Sequence, residues 1–206
     1  MDGTTATMNP PAGFHTSVEI SAAASYHQSV SEGTCILIFG MSTSTYTVIH
    51  VVISLAGIGS GLVVMFGLLT GKRLDRLTAL FLASTVATSV TGFGFPFHQL
   101  LPSHKVGILS LVVLLVAMLA RYAFHLAGGW RRIYVINAVI ALYLNVFVLV
   151  VQSFMKVPAL KALAPTQKEP PFLVAQLVVL ALFVVLGIFA VKRFRNGPVH
   201  AAARAA

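Results

Sequence analysis

Five long apolar runs govern what this chain can fold into. They cover roughly Tyr46 to Leu69, Leu77 to Phe95, Val106 to Leu126, Ile133 to Gln152 and Phe172 to Val191. Together they hold one charged side chain, Arg121, and no Asp or Glu. A helix rises about 1.5 Å per residue, so about 20 apolar residues cross a hydrocarbon layer about 30 Å thick. Inside that layer no water meets the backbone N–H and C=O groups, and a helix satisfies them within the segment. The expected fold is therefore an all-α integral membrane protein, a single bundle of five transmembrane helices. Charged residues make up 9% of the chain, against roughly 25% in a soluble domain. That is too few to cover a soluble globule, and the apolar content is too high for a disordered chain.

The breaks between the runs follow from local chemistry. Gly71 to Arg76 is a short charged turn, and Gly128-Gly129 separates the third and fourth runs. Pro96 and Pro102 close the second run, because proline lacks an N–H and disfavours helix in the residue before it. Met155 to Pro171 reads as the longest loop. Residues 1–40, rich in Ser, Thr, Ala and Gly, read as a disordered arm; 41–195 form the membrane domain and 196–206 a short tail. Residues 1–71 contain no Lys or Arg, so neither the basic start of a signal peptide nor an arginine-rich transit peptide is expected. Met41, just before the first run, is a second candidate start of the natural chain.

The net charge is +9, from 14 Lys and Arg against 5 Asp and Glu. The basic residues stand in small groups between apolar runs, which is the pattern of membrane flanks and not of a nucleic-acid surface. Counted across five spans, the first turn, the third connection and the tail carry nine of them on one side (Lys72, Arg73, Arg76, Arg131, Arg132, Lys192, Arg193, Arg195, Arg204). The other side carries four: Lys105, Lys156, Lys161 and Lys168. The positive-inside rule then places the N-terminus outside and the C-terminus in the cytoplasm. The general form is that of small polytopic proteins of bacterial inner membranes. A lone cysteine, Cys35, allows no internal disulfide and no CxxC motif.

At 100° per residue, each run shows one small or polar stripe. The stripes are His50, Ser54, Gly57 and Gly61; Thr78, Thr85, Ser89 and Gly92; Ser110, Ala117, Arg121 and His125; Tyr134, Ala138, Ala141, Asn145 and Gln152; and Gln176, Phe183 and Gly187. Such stripes serve helix packing first, with Gly57 and Gly61 forming a GxxxG pair. Asn145 lies near mid-depth with two donors and two lone pairs to satisfy, which a neighbouring helix or a ligand could meet. Arg121 keeps its charge. It can snorkel to lipid phosphate, bond Asn137, Tyr134 or Asp75, or meet an anionic ligand. Arg121, His125, Asn137 and Asn145 together make a candidate interior polar path. His50, His98 and His104 fall at one depth and are the candidate ligands for a haem or a metal ion, although His98-x5-His104 is no recognised ligand spacing.

The chain has no P-loop, GxGxxG, HExxH or GxSxG motif and no carboxylate pair for hydrolysis. No catalytic residue is assigned, and no cofactor is expected. The leading expectation is a non-enzymatic accessory or structural subunit of a membrane complex, with lipid and other membrane subunits as partners and no nucleic acid. The alternatives are a small transporter or channel for an anionic or amphipathic solute, and a haem- or metal-binding redox protein.

Overall fold

The computed structural model describes residues 37–38, 41–95 and 102–195. Most of the expected arm (1–36, 39 and 40, with Cys35), the segment 96–101 with His98, and the tail 196–206 lie outside the described residues. The elements are β1 (Leu37–Ile38), β2 (Met41–Ser42), α1 (Thr43–Leu69), α2 (Asp75–Gly92), α3 (Pro102–Met118) with a π-helical turn over Leu119–Ala123, α4 (Trp130–Lys156), α5 (Pro158–Leu163) and α6 (Pro170–Arg195). Two compact units divide the chain, Met1–Tyr46 and Thr47–Ala206. In the first, β1 and β2 pair antiparallel with Leu37 opposite Ser42. Ser42 Oγ accepts the Thr45 N–H at 3.2 Å, which caps the start of α1.

The second unit is a helical bundle. Gly71 ends α1 with φ +71°, a left-handed conformation open to glycine at no steric cost. The Lys72 N–H then reaches back to Gly67 O at 2.8 Å, the closing bond of a Schellman cap. α2 returns antiparallel along α1. Gly61 lets them meet: a Cβ there would stand 2.6 Å from Leu142 Cδ1 on α4 and 2.8 Å from the Phe81 ring on α2. α4 runs through the middle and packs against both α3 and α6. The core is built from large side chains of α2 and α4 (Phe81, Leu82, Tyr134, Leu142) and from alanines at the closest crossings (Ala117, Ala138, Ala141, Ala190). In a lipid-solvated bundle this close approach, with its dispersion contacts, replaces expulsion of water as the driving term.

Four helices are long and apolar enough to cross a membrane: Thr43–Leu69, His104–Ala123, Trp130–Lys156 and Pro170–Phe194. The outward faces agree, exposing Val48, Val52, Phe66, Val112, Leu177, Val178 and Leu182 among many others. A soluble monomer does not display apolar surface on that scale. The protein is a helical membrane protein. The second run forms a helix at the expected place, but α2 falls short of the other four in apolarity. It has 18 residues, begins with Asp75 and Arg76, and carries six Ser and Thr. Four spans, not five, are thus evident from length and apolarity.

Two further features depart from expectation. α4 and α6 overrun their apolar runs at both ends, so α4 spans 27 residues where the run has about 20. Helix needs no apolar side chain once it leaves the hydrocarbon, and Trp130, Arg131 and Lys156 continue it. The expected loop Met155 to Pro171 contains α5, pinned by a small second core of Phe154, Ala164 and Phe172. The Phe154 and Phe172 rings meet edge to face at 5.4 Å between centroids.

Candidate functional site

The polar residues of the bundle form a seam along α2 that can be followed from end to end. At the end bearing Lys72, Arg73, Arg131 and Arg193 stands Arg121. Its position comes from the π-helical turn, in which the Phe124 N–H bonds Leu119 O at 3.0 Å, five residues back. His125 and Leu126 then take positive φ (47° and 59°), and the Leu126 N–H closes the end onto Ala120 O at 3.0 Å. Leu126 drops into the core and anchors the turn.

Arg121 Nη2 donates to Asp75 Oδ1, in the first turn of α2. The Arg121 side chain is 10% exposed and that of Asp75 74%. The guanidinium lies 5.5 Å from the centroid of the Tyr134 ring and 5.7 Å from that of Tyr122, within cation–π range. Tyr134 is 1% exposed, and the Thr78 hydroxyl adjoins its phenol. The stack continues outward through Phe194, 6.5 Å from Tyr134, to Arg131, whose guanidinium lies 5.7 Å from the Phe194 centroid. Beside it Phe124 and Trp130 stack in parallel at 3.8 Å.

One helical stretch further along α2, Asn145 Nδ2 of α4 donates to Thr85 Oγ1 at 3.1 Å, and Thr85 is fully buried. A Cβ at Gly57 of α1 would stand 3.4 Å from that same Oγ1, so the glycine leaves room for the pair. Further still, Ser89 Oγ donates to Ser110 Oγ at 3.1 Å, joining α2 to α3. At the far end His50 Nδ1 lies 2.8 Å from Thr91 Oγ1, and that hydroxyl donates to Ala87 O at 2.7 Å. The single hydroxyl proton is thereby spent, so His50 carries its proton on Nδ1 and donates to Thr91.

Of the proposed interior path, Arg121 and Asn145 stand at two levels of this seam. Asn137 donates its Nδ2 to Ile133 O of its own helix at 2.8 Å. His125 is exposed, because the π turn and the left-handed exit carry it off the line that a straight helix would follow. Of the Arg121 partners considered, Asp75 receives the ion pair and Tyr134 offers its ring face. Of the three histidines, His50 meets Phe95 edge to face at 5.3 Å and His104 lies 5.5 Å from Phe93. His98 lies outside the described residues. Among the described residues no three His, Cys, Asp or Glu side chains gather in a group.

Sequence stripes located the inward faces of α1, α2 and the first part of α3. They placed Thr78 and Tyr134 inward without pairing them, and they did not locate the Phe124–Trp130 stack, which arises where helix ends meet. The chain matches no known protein family, no curated protein and no solved structure.

Proposed function

We propose that this chain is a five-span protein of a bacterial inner membrane, N-terminus outside and C-terminus cytoplasmic. Its role is that of a non-enzymatic accessory or structural subunit that binds lipid and other membrane subunits. The observation that carries this reading is how the interior polar groups are used: Asn145 on Thr85, Ser89 on Ser110, His50 on Thr91 and Arg121 on Asp75. Hydroxyls of Ser54, Ser60 and Ser84 bond carbonyls of their own helices at 2.6–2.7 Å. The four contacts between elements hold helices together, and the own-helix bonds satisfy hydroxyls without crossing to a neighbour. α2 serves as the fifth span because its Ser and Thr face neighbouring helices, and 18 residues reach about 27 Å. The contacts of Asp75 with Arg121 and of Tyr134 with Phe194 gather the three basic regions at one end, in keeping with the proposed sidedness.

Cysteine labelling in sealed vesicles tests the arrangement: Thr70→Cys and Gly129→Cys should be inaccessible from outside, and Thr166→Cys accessible. Native electrophoresis of mildly solubilised membranes tests the role. A discrete assembly containing this chain with a second protein at fixed stoichiometry supports it, and a monomer alone in membranes of the source cell overturns it.

A second reading, a carrier or channel for an anionic solute, has the buried guanidinium of Arg121 in its favour. Arg121→Ala should then abolish anion flux in liposomes with folded yield preserved. Flux that is unchanged, or absent in the parent, removes that reading.

A further inference from the structure

The Arg121–Asp75 pair is lopsided, and the lopsidedness has a chemical meaning. The cation is nine-tenths buried and fixed by Tyr134, Tyr122 and the π turn, whereas the anion is three-quarters exposed at a helix end. Asp75 is also the only acid at this end among the described residues. It shares the end with Lys72, Arg73, Arg76, Arg131, Arg132, Lys192 and Arg193. An exposed carboxylate regains its hydration when it lets go of its partner, while a buried guanidinium needs an anion in its place. Planar guanidinium presents five N–H donors that match two oxygens of a phosphate, and the pair with Asp75 engages one nitrogen. Leu74 gives α2 no side-chain cap, which adds first-turn N–H donors beside Asp75.

We propose that Arg121 anchors a binding site for a phosphate-bearing anion at the basic end of the bundle, and that Asp75 is a built-in competitor that occupies the guanidinium until phosphate displaces it. The rigid aromatic seat holds the guanidinium in place through the exchange. Lys72, Arg73 and Arg76 raise the local concentration of anions around it. The Arg131 guanidinium, one aromatic pair away through Phe194, is placed to meet the far side of a larger headgroup. Phosphate is the shared chemistry of two sources, an anionic phospholipid headgroup and a free phosphate. The site is independent of the accessory role above, since it needs only the packing of α2, α3 and α4.

The test uses the full chain purified in a maltoside detergent, which carries no phosphate. One arm adds phosphatidylglycerol in mixed micelles and reads retained lipid by native mass spectrometry together with the unfolding midpoint. A second arm adds inorganic phosphate against sodium chloride of equal ionic strength. The parent should retain lipid and melt higher with it. Arg121→Gln should bind about tenfold more weakly or worse, as expected for loss of a charge-assisted contact. Asp75→Asn should bind about fivefold more tightly, the effect of removing an exposed competing charge. The double variant Asp75→Asn/Arg121→Gln leaves no unpaired charge, so it should fold and yet fail to bind. Competition by inorganic phosphate at millimolar concentration assigns the site to free phosphate; lipid retention without such competition assigns it to a headgroup. Binding by Arg121→Gln or the double variant equal to the parent, weaker binding by Asp75→Asn, or no binding of either probe by the parent overturns the proposal.

Discussion

α2 and α6 are opposites in composition and in position. α2 has six Ser and Thr in 18 residues and lies against α1, α3 and α4. α6 has one polar residue, Gln176, between Pro170 and Val191. Only 11% of its most apolar stretch is buried, against 44% for α1. A water-soluble bundle would reverse these placements, with the apolar helix inside and the polar one at the rim. The difference teaches that the solvent outside this bundle is less polar than its interior. Polarity here marks contact with protein, and apolarity marks contact with lipid.

The sharpest way to break that comparison is to place a charge on the outer face of α6. Leu182 lies near the middle of α6 and is 52% exposed. Leu182→Asp should cost about 3 kcal/mol of membrane insertion, the scale for an acid at mid-span. Leu182→Ala should cost far less, because no packed cavity is opened. Glycosylation-reporter insertion assays measure both. Equal effects of Asp and Ala would mean that α6 faces water or a polar partner.

The second effect lies on the inner side of the comparison. Gly61→Val places atoms where Leu142 and Phe81, each 1% exposed, already sit. Overpacking should destabilise the bundle by about 1–3 kcal/mol. Gly59→Val on the same helix, with nothing within 4 Å of its Cβ position, should be close to neutral. Thermal unfolding in detergent separates the two, and equal midpoints would dissociate α1 from α2.

A third effect is smaller and tests the seam itself. Asn145→Ala and Thr85→Ala, singly and together, should give a coupling of about 0.6 kcal/mol in a double-mutant cycle, typical of hydrogen bonds between membrane helices. A coupling near zero would mean that the two side chains do not share a bond in the membrane.

These contrasts also show what a reading of residues alone can reach. The apolar runs fixed four helices directly, because hydrocarbon thickness leaves few alternatives for 20 apolar residues. Stripe arithmetic placed Gly57, Gly61, Thr85 and Ser89 inward, since inside a regular helix the angle between residues is constant. It failed at His125, where a π turn adds a residue to the repeat and no residue type announces it. It was undecided about Arg121, because spacing gives depth but not which neighbouring helix end arrives at that depth. Apolarity alone sets α2 apart from the other four long helices, and its Thr85 and Ser89 meet neighbours that lie far away in sequence.

The two acids after residue 40, Asp75 and Glu169, extend the comparison to the helix starts and carry its smallest test. Asp75 at the start of α2 reaches across to another helix, whereas Glu169 before α6 folds back on its own turn. The Glu169 carboxylate accepts Thr166 Oγ1 at 2.8 Å, Thr166 N–H at 3.1 Å and Lys168 N–H at 3.0 Å. Slight desolvation pushes its pKa up, but these hydrogen bonds outweigh it and hold the carboxyl below its ordinary value. A depressed carboxylate stabilises the fold above its unfolded pKa, and the contribution fades as pH falls through the folded value. Glu169→Gln should remove that acid-side change and leave the neutral-pH fold nearly as stable, because the group is solvent-exposed. Hydrogen exchange of the Thr166 and Lys168 amides between pH 7 and pH 3, corrected for intrinsic rates, reads it locally. Protection should fall with pH in the parent and be low throughout in the variant. Profiles that coincide would mean that α6 begins without help from its acid, leaving Pro170 and Pro171 to set its first turn unaided.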